Sequence, residues 1–170
     1  FIGLCNDVMD EAAKGGYTDP ASLTNIAEAK FFRAYSYFDL VRTFGDVPKI
    51  DFKINTPTDG HKAKSPAAQI YAFIESDLTY AEQYLPQAWG ATFSGRLNKA
   101  AARTFLAKVK LYQQKWAEAL THCKQVMASR QGGAAAPLYT PYWKIFKKEG
   151  ELCEESIFEI QAHKEAGDGD

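Results

Sequence analysis

The chain is poor in the residues that bind metals or act as nucleophiles. Its 170 residues include only three Cys and three His. Cys5, Cys123 and Cys153 are far apart in sequence, so they lack the close pairing of a zinc site. Neither a metal ion nor a cofactor is therefore expected.

The pattern of a hydrolase is also missing. His61, His122 and His163 show neither the H-x3-H nor the HExxH spacing of a metal site. Glu154 and Glu155 are adjacent in sequence and cannot readily flank one bond from opposite faces. No catalytic residue is assigned, and the protein is not expected to be an enzyme.

Long apolar runs and an excess of one charge are absent as well. No stretch of about 18 apolar residues occurs, so no segment is predicted to span a bilayer. The formal net charge is −1, and acidic and basic residues alternate without a basic stripe that could neutralise a phosphate backbone. We do not expect nucleic acid as a partner.

The first residues do not form a leader. The chain starts at Phe1 in a helical pattern, without an initiator Met, a signal peptide or a lipidation box. Cys5 follows Leu4, whereas a lipidation box needs a small residue directly before the Cys. We therefore expect a segment truncated at both ends.

The main pattern in the sequence is helical periodicity. Apolar residues recur at steps of three and four, and capping residues, Gly or Pro bound the periodic stretches. The predicted helices run from Phe1 to Gly15–Gly16, from about Leu23 to Phe44 after the Thr18-Asp19-Pro20 cap, from the Ser65–Pro66 cap to Pro86, from Asn98 to Tyr112, and from Trp116 to about Ala128.

The last two predicted helices form an αα-hairpin that fits the tetratricopeptide (TPR) template. Leu106-Ala107 takes the Leu-Gly place, Trp116 the aromatic place of the second helix, and Ala119 the small place at the helix crossing. Cys123 stands where the template has a second aromatic residue. Arg103 and Lys110 depart from the Trp and Tyr of the template.

Less regular segments lie between and after the helices. A long connection with Pro48, Pro57 and Gly60 has no helical period and runs to Lys64, and loops of this length are usually functional or mobile. One short strand or extended segment is predicted at Ile157–Gln161. We expect one helical domain over residues 1–165 and a disordered tail over residues 166–170.

Four segments resemble the SusD/RagB family of nutrient-binding lipoproteins, in the order and at the spacing of that family. They are EAKFFRAYSYFDLVRTFGDVP (28–48), SPAAQIYAFIESDLTYAEQYLP (65–86), GRLNKAAARTFLAKVKLYQQKWAEAL (95–120) and ESIFEIQ (155–161). The resemblance covers nearly the whole chain but only the central, TPR-rich part of a typical member. It implies an all-α fold of TPR-like hairpins in an α-α superhelix, with long irregular loops and at most a short strand near the C-terminus.

The resemblance also implies a function. Members are anchored by an N-terminal lipid on the extracellular face of the outer membrane and cover a TonB-dependent transporter of the SusC type. Most bind oligosaccharides and some bind peptides. The ligand-binding aromatic residues of the starch binders lie largely outside the segment represented here, so the resemblance assigns no binding residue in this chain.

Arg33 and Trp89 can each be interpreted either as a ligand-binding residue or as a structural residue. Arg33, in an aromatic helix, is either a ligand-binding arginine or a structural partner of an acid such as Asp39 or Asp77, and we favour the structural role. Trp89, in a loop flanked by Pro and Gly, is the one candidate for stacking on a sugar ring. The simpler interpretation, which we favour, is that Trp89 covers the end of its own helix pair.

The alternative function is a generic TPR adaptor for protein partners. Adaptors stack similar repeats with a period of about 34 residues. Here dissimilar, loop-rich segments separate the helical pairs, which favours the SusD-like interpretation.

Overall fold

The computed structural model describes residues 1–129, 138–139, 141–153 and 155–160. Five α-helices dominate these residues, and each one packs mainly against the next in sequence. The helices are α1 (Ile2–Gly15), α2 (Pro20–Phe44), α3 (Ala67–Tyr84), α4 (Lys99–Tyr112) and α5 (Trp116–Ser129). The predicted all-α class is confirmed.

The caps explain where two of the helices begin. The Asp19 side chain accepts hydrogen bonds from the backbone N–H groups of Ala21 and Ser22, so α2 begins at Pro20, a few residues earlier than predicted. The Asn98 side chain accepts a hydrogen bond from the Ala101 N–H at the start of α4, as the sequence predicts.

The start of α3 differs from the prediction. Ser65 is not its N-cap, because it belongs to a strand, and Pro66 takes the capping position. The Ala67 N–H instead donates to Asp46 Oδ1 at 2.7 Å. The cap is therefore supplied by a residue that lies beyond the end of the preceding helix.

The strands lie outside Ile157–Gln161, where the sequence predicts a short strand or an extended segment. Residues 157–160 form no strand, and Gln161 lies outside the described residues. The strands are β1 (Val47–Pro48) and β2 (Lys64–Ser65), which pair antiparallel with Val47 opposite Ser65. This two-residue ribbon closes the long connection between α2 and α3, in which Pro57–Gly60 forms a short 3-10 helix.

The core lies between α2, α3 and α4. Aromatic rings of α2 pack against α4, with Phe31 and Phe38 each within 5.6 Å of the Phe105 ring centre. Phe158, from the irregular segment 155–160, adds its ring to Phe31 at 5.5 Å. The fully buried apolar side chains include Phe31, Tyr37, Phe38, Ile70, Ile74, Leu78, Leu106 and Val109.

The TPR-like hairpin of α4 and α5 is present. Ala107 and Ala119 are buried, as the template requires of its small residues. Trp116 is 61% exposed and Cys123 is exposed, so the two aromatic places of the template do not contribute to this core. None of the described helices is both long and apolar enough to cross a membrane.

Candidate functional site

Arg33 lies in a buried polar network rather than at a binding surface. Its guanidinium donates to both carboxylate oxygens of Asp77, at 2.7 and 2.8 Å, and only 4% of the residue is exposed. Asp39 is not its partner, since Asp39 pairs with Arg42 at the surface. The structure thus supports the structural interpretation of Arg33 and selects Asp77 as the acid.

The sequence analysis missed the third member of this network, Asn6 of α1. Asn6 Oδ1 accepts a hydrogen bond from Arg33 Nη1 at 2.8 Å, and its Nδ2 donates to the carbonyl oxygens of Ile50 and Phe52. The Tyr37 hydroxyl also accepts from the Ile50 N–H and donates to the Ile50 carbonyl. These bonds tie the base of the long connection to α1 and α2. A polar residue inside the apolar pattern of α1 was the only available signal.

A second charged cluster joins α3 to the α4–α5 hairpin. The Glu75 carboxylate accepts from Lys110 at 2.8 Å, from Gln113 at 2.6 Å and from Lys115 at 2.9 Å. Burial alone would raise the pKa of Glu75, but these three donors outweigh it and hold that pKa below its ordinary value. Lys110 also pairs with Glu118 of α5, so the cluster braces the hairpin.

Trp89 lies in the loop between α3 and α4, where its neighbours hold it in place. The indole Nε1–H donates to the Leu97 carbonyl at 2.7 Å. The Arg96 guanidinium lies over the indole, 4.2 Å from its centre, and the Phe93 ring meets it edge-on at 5.7 Å. Leu97 directly precedes Asn98, the N-cap of α4, so this hydrogen bond ties the Trp89 loop to the start of that helix.

Arg96 is itself fixed by acidic and polar groups of α2. Its Nε and Nη2 donate to the two carboxylate oxygens of Glu28, at 3.0 and 2.6 Å, and Nη2 also contacts Asn25 Oδ1 at 3.3 Å. These hydrogen bonds hold the Glu28 carboxylate beside the guanidinium that lies over Trp89. Such bidentate pairs are geometrically specific. Burial works against the charged guanidinium, but the bonds to Glu28 raise the pKa of Arg96 above its ordinary value.

A cavity of about 350 Å³ opens beside this arrangement and is called here the Trp89 pocket. Its volume is within the range of about 300–1,000 Å³ that is usual for ligand pockets. Its lining residues include Trp89, Ser94, Gly95, Arg96, Asn98, Leu152, Ser156 and Phe158.

Gly95 shapes the wall of the pocket. Its φ of +89° is a backbone conformation that residues with side chains rarely adopt. A Cβ at this position would lie 3.4 Å from the Leu152 side chain, which also lines the pocket. The glycine thus permits both the turn and the open space.

The residues considered for catalysis or metal binding are only partly placed by the structure. His61 is exposed, and Glu154 and His163 lie outside the described residues. In the part of the chain that the structure describes, no group of three or more His, Cys, Asp and Glu side chains is placed to hold a metal ion.

Comparison with known proteins gives the geometry a context. The SusD-like family model, described as starch-binding and associating with the outer membrane, matches residues 5–111. The SusD-like protein P2 of Formosa agariphila is 37% identical over 115 residues, which are 65% of this chain and 22% of that protein.

Solved structures show the same fold. A SusD-like protein from Bacteroides fragilis has a TM-score of 0.85 over 96% of this chain, with 23% identity, and a laminarin-binding SusD-like protein has a TM-score of 0.83 over 92%, with 26% identity. The aligned part is 32% and 34% of those two chains, so this chain spans about a third of their length or less. Because the family model matches residues 5–111, which is more than half of the chain, the chain belongs to the SusD-like family.

Proposed function

We propose that this chain is part of a glycan-binding component of an outer-membrane uptake complex. The observation that carries the proposal is the family match over residues 5–111, whose description is starch-binding and associating with the outer membrane. The likeness to a laminarin-binding protein at 26% identity supports a glycan over a peptide as the ligand.

The component binds its ligand without changing it. Hydrolysis of a glycosidic bond needs two carboxyl groups placed across the bond. Both carboxylate oxygens of Glu28, beside the Trp89 pocket, are held by Arg96, so Glu28 is not free to act as one of such a pair. This supports a binding role.

The bound glycan is passed to a TonB-dependent transporter of the SusC type. The component is anchored by a lipid on the extracellular face of the outer membrane, as the family resemblance implies. Support for this part is the description of the family as associating with the outer membrane. The TPR-adaptor alternative is less well supported, because the chain belongs to a family that is described as starch-binding.

Binding is tested by calorimetry of the full-length protein with starch, laminarin oligosaccharides and a peptide library. We expect a glycan to bind with a Kd tighter than about 1 mM, equivalent to about −4 kcal/mol. Binding of peptides alone, or of no ligand, would overturn the proposal.

Delivery and location need their own experiment. We expect the full-length protein to co-purify with a TonB-dependent transporter from outer membranes and to be cleaved by protease added to whole cells. Its gene should encode a lipoprotein signal peptide. Co-purification with soluble proteins alone would favour the adaptor.

A further inference from the structure

We propose that the cavity between the end of α1 and the start of α2 is a subsite for one sugar residue of the bound glycan, with the Tyr17 ring as its platform. The proposal rests on the proposed glycan-binding function and adds a location and a contact residue. It concerns one contact of a larger site, since the resemblance places most ligand-binding residues outside this segment.

The backbone at the end of α1 fixes the position of Tyr17. The Gly16 N–H donates to the Ala13 carbonyl and the Tyr17 N–H donates to the Ala12 carbonyl, both at 3.3 Å. Gly16 has a φ of +63°, so these residues form the left-handed cap that commonly ends a helix. A side chain on a backbone that is already held loses less conformational entropy when a ligand binds.

One face of the Tyr17 ring lies against Gly15. A Cβ on Gly15 would meet three consecutive ring atoms, closest to Cε2 and at 2.7 and 2.8 Å from Cζ and Cδ2. These nearly equal distances on either side of the closest atom indicate that Gly15 lies under the face of the ring rather than at its edge. A side chain at position 15 would therefore displace the ring.

The other face of the Tyr17 ring is open. Tyr17 is 58% exposed, and among the described residues no aromatic ring or cation is stacked on it. Trp89 differs in this respect, because its indole lies under the Arg96 guanidinium. Tyr17 is one of the described residues that line the cavity and Gly15 is not, so the open face is turned toward the cavity. The C–H face of a sugar can stack on such a ring.

The cavity, called here the Tyr17 pocket, is large enough for one sugar residue. Its volume of about 460 Å³ lies within the usual range of about 300–1,000 Å³ for ligand pockets. Its lining combines apolar and polar side chains, as ligand pockets usually do. Besides Tyr17, the lining residues are Asp7, Val8, Glu11, Ala12, Ser22, Asn25 and Ile26.

Two polar groups of this lining are available to a ligand. The Asp7 carboxylate makes no hydrogen bond with any of the described residues. Asn25 Oδ1 accepts from Arg96, whereas its Nδ2 group has no hydrogen-bond partner in the described part of the chain. An ionised carboxylate only accepts hydrogen bonds and an amide NH₂ only donates them, and a sugar hydroxyl can serve both.

The same groups favour a sugar over a protein segment. An apolar segment that covered the Tyr17 pocket would bury the Asp7 carboxylate without a partner, which is energetically costly. A sugar would stack on Tyr17 and donate a hydroxyl to Asp7 at the same time. The family description as starch-binding agrees with this choice.

The first test is calorimetry of the full-length protein with starch or laminarin oligosaccharides, whichever it binds more tightly. Tyr17→Ala should weaken binding about threefold or more, and Tyr17→Phe, which keeps the ring, should stay within about twofold of the wild type. Asp7→Ala should also weaken binding about threefold or more. Because Tyr17 is exposed and Asp7 makes no hydrogen bond with the described residues, the melting temperatures of these variants should change little.

The second test moves the ring without removing any side chain that lines the pocket. Gly15→Ala places a methyl group under the ring, so it should weaken binding about threefold or more, and alanine is well tolerated in a helix. Gly3→Ala is the matched control on α1, because a Cβ there meets nothing within 4 Å, and its Kd should stay within about twofold of the wild type.

The outcomes separate the two proposals. If the wild-type protein binds no glycan, both fail. If it binds, and Tyr17→Ala and Gly15→Ala bind within about twofold of it, the subsite is refuted while the glycan-binding function stands. Unchanged glycan affinity together with reduced co-purification of the transporter would assign this surface to a protein contact and would equally refute the subsite.

Discussion

Arg33 shows how one buried charge can organise several parts of the chain. Its guanidinium reaches Asp77 on α3 and Asn6 on α1, and Asn6 in turn holds the backbone at Ile50 and Phe52. Removing the arginine would leave the Asp77 carboxylate, which is 1% exposed, with Lys30 as its remaining partner.

We expect Arg33→Met to lower the free energy of unfolding by about 3–5 kcal/mol, because the buried Asp77 carboxylate loses two of its three hydrogen bonds and keeps only the one from Lys30. Arg42→Met is the matched control, since its pair with Asp39 is exposed, and it should cost about 0–1 kcal/mol. Urea denaturation of both variants provides the measurement. Similar losses in the two variants would contradict the role of the network.

The sequence could narrow the partner of Arg33 to two acids but could not choose between them. Asp39 lies on the same helix, whereas Asp77 depends on how α2 and α3 are aligned, which no local pattern specifies. The position of Trp89 in a loop was likewise predictable. Its contacts with Leu97 and Arg96 were not, because they depend on how the chain between α3 and α4 folds back.

At the scale of elements, local signals were sufficient for the helices and insufficient for the pairing of distant segments. Asp19 and Asn98 are close to the N–H groups that they cap, so their helices could be located from the sequence. The α3 cap comes from Asp46, which lies next to β1 and far from α3 in sequence, so no local pattern indicates it. A short strand or an extended segment was predicted at Ile157–Gln161, but residues 157–160 form no strand, and Phe158 packs on Phe31.

The hairpin of α4 and α5 gives a test of the TPR assignment. Ala119→Phe adds a ring at a buried position of α5, and we expect it to lower the free energy of unfolding by about 1–3 kcal/mol or more through overpacking. Ala117 is exposed on the same helix, so Ala117→Phe should stay within about 0.5 kcal/mol of the wild type. Thermal denaturation compares the two, and an unchanged melting temperature for Ala119→Phe would argue against the close crossing.

The Glu75 cluster predicts how the hairpin responds to acid. The pKa of Glu75 is lowered in the folded chain, so its contribution is fully present above the unfolded pKa, about 4.3, and is lost as the pH falls through the lower folded value. Glu75→Gln should therefore destabilise the protein at pH 7, by about 1–3 kcal/mol, and by less at pH 3.

Urea denaturation at both pH values checks this expectation. Glu151→Gln, at an exposed position, is the control and should leave the free energy of unfolding nearly unchanged at either pH. If Glu75→Gln costs the same at pH 3 as at pH 7, the carboxylate does not supply the stability.

At the scale of the whole molecule, the exposed apolar side chains lie mainly on α1, on α5 and around residues 142–146. Phe1 is 70% exposed, Tyr142 is 71% exposed and Phe146 is 70% exposed. A fully buried side chain of this kind contributes roughly 1.5–3 kcal/mol, so the exposure of several is comparable with the net stability of a domain. These exposed apolar side chains would add to the stability only if other residues packed against them.

We therefore expect residues 1–170, produced alone, to be only weakly stable and to bind glycan too weakly to measure by calorimetry. The full-length protein should bind the same oligosaccharide. The family resemblance places most ligand-binding residues outside this segment. Comparable affinity in the two proteins would place the complete binding site within residues 1–170.

The β1–β2 ribbon makes residues 49–63 a closed loop, and this has a use in protein engineering. Because the ribbon and the Asn6 and Tyr37 bonds hold the ends of the loop, each doubling of its length should cost only about 0.6 kcal/mol of closure entropy. Lys62 and Ala63 are exposed. A short epitope tag inserted between them should leave the melting temperature nearly unchanged, whereas the same tag between Asp46 and Val47 should interrupt the α3 cap and lower it. The loop thus offers a place to insert a label without disturbing the helical core.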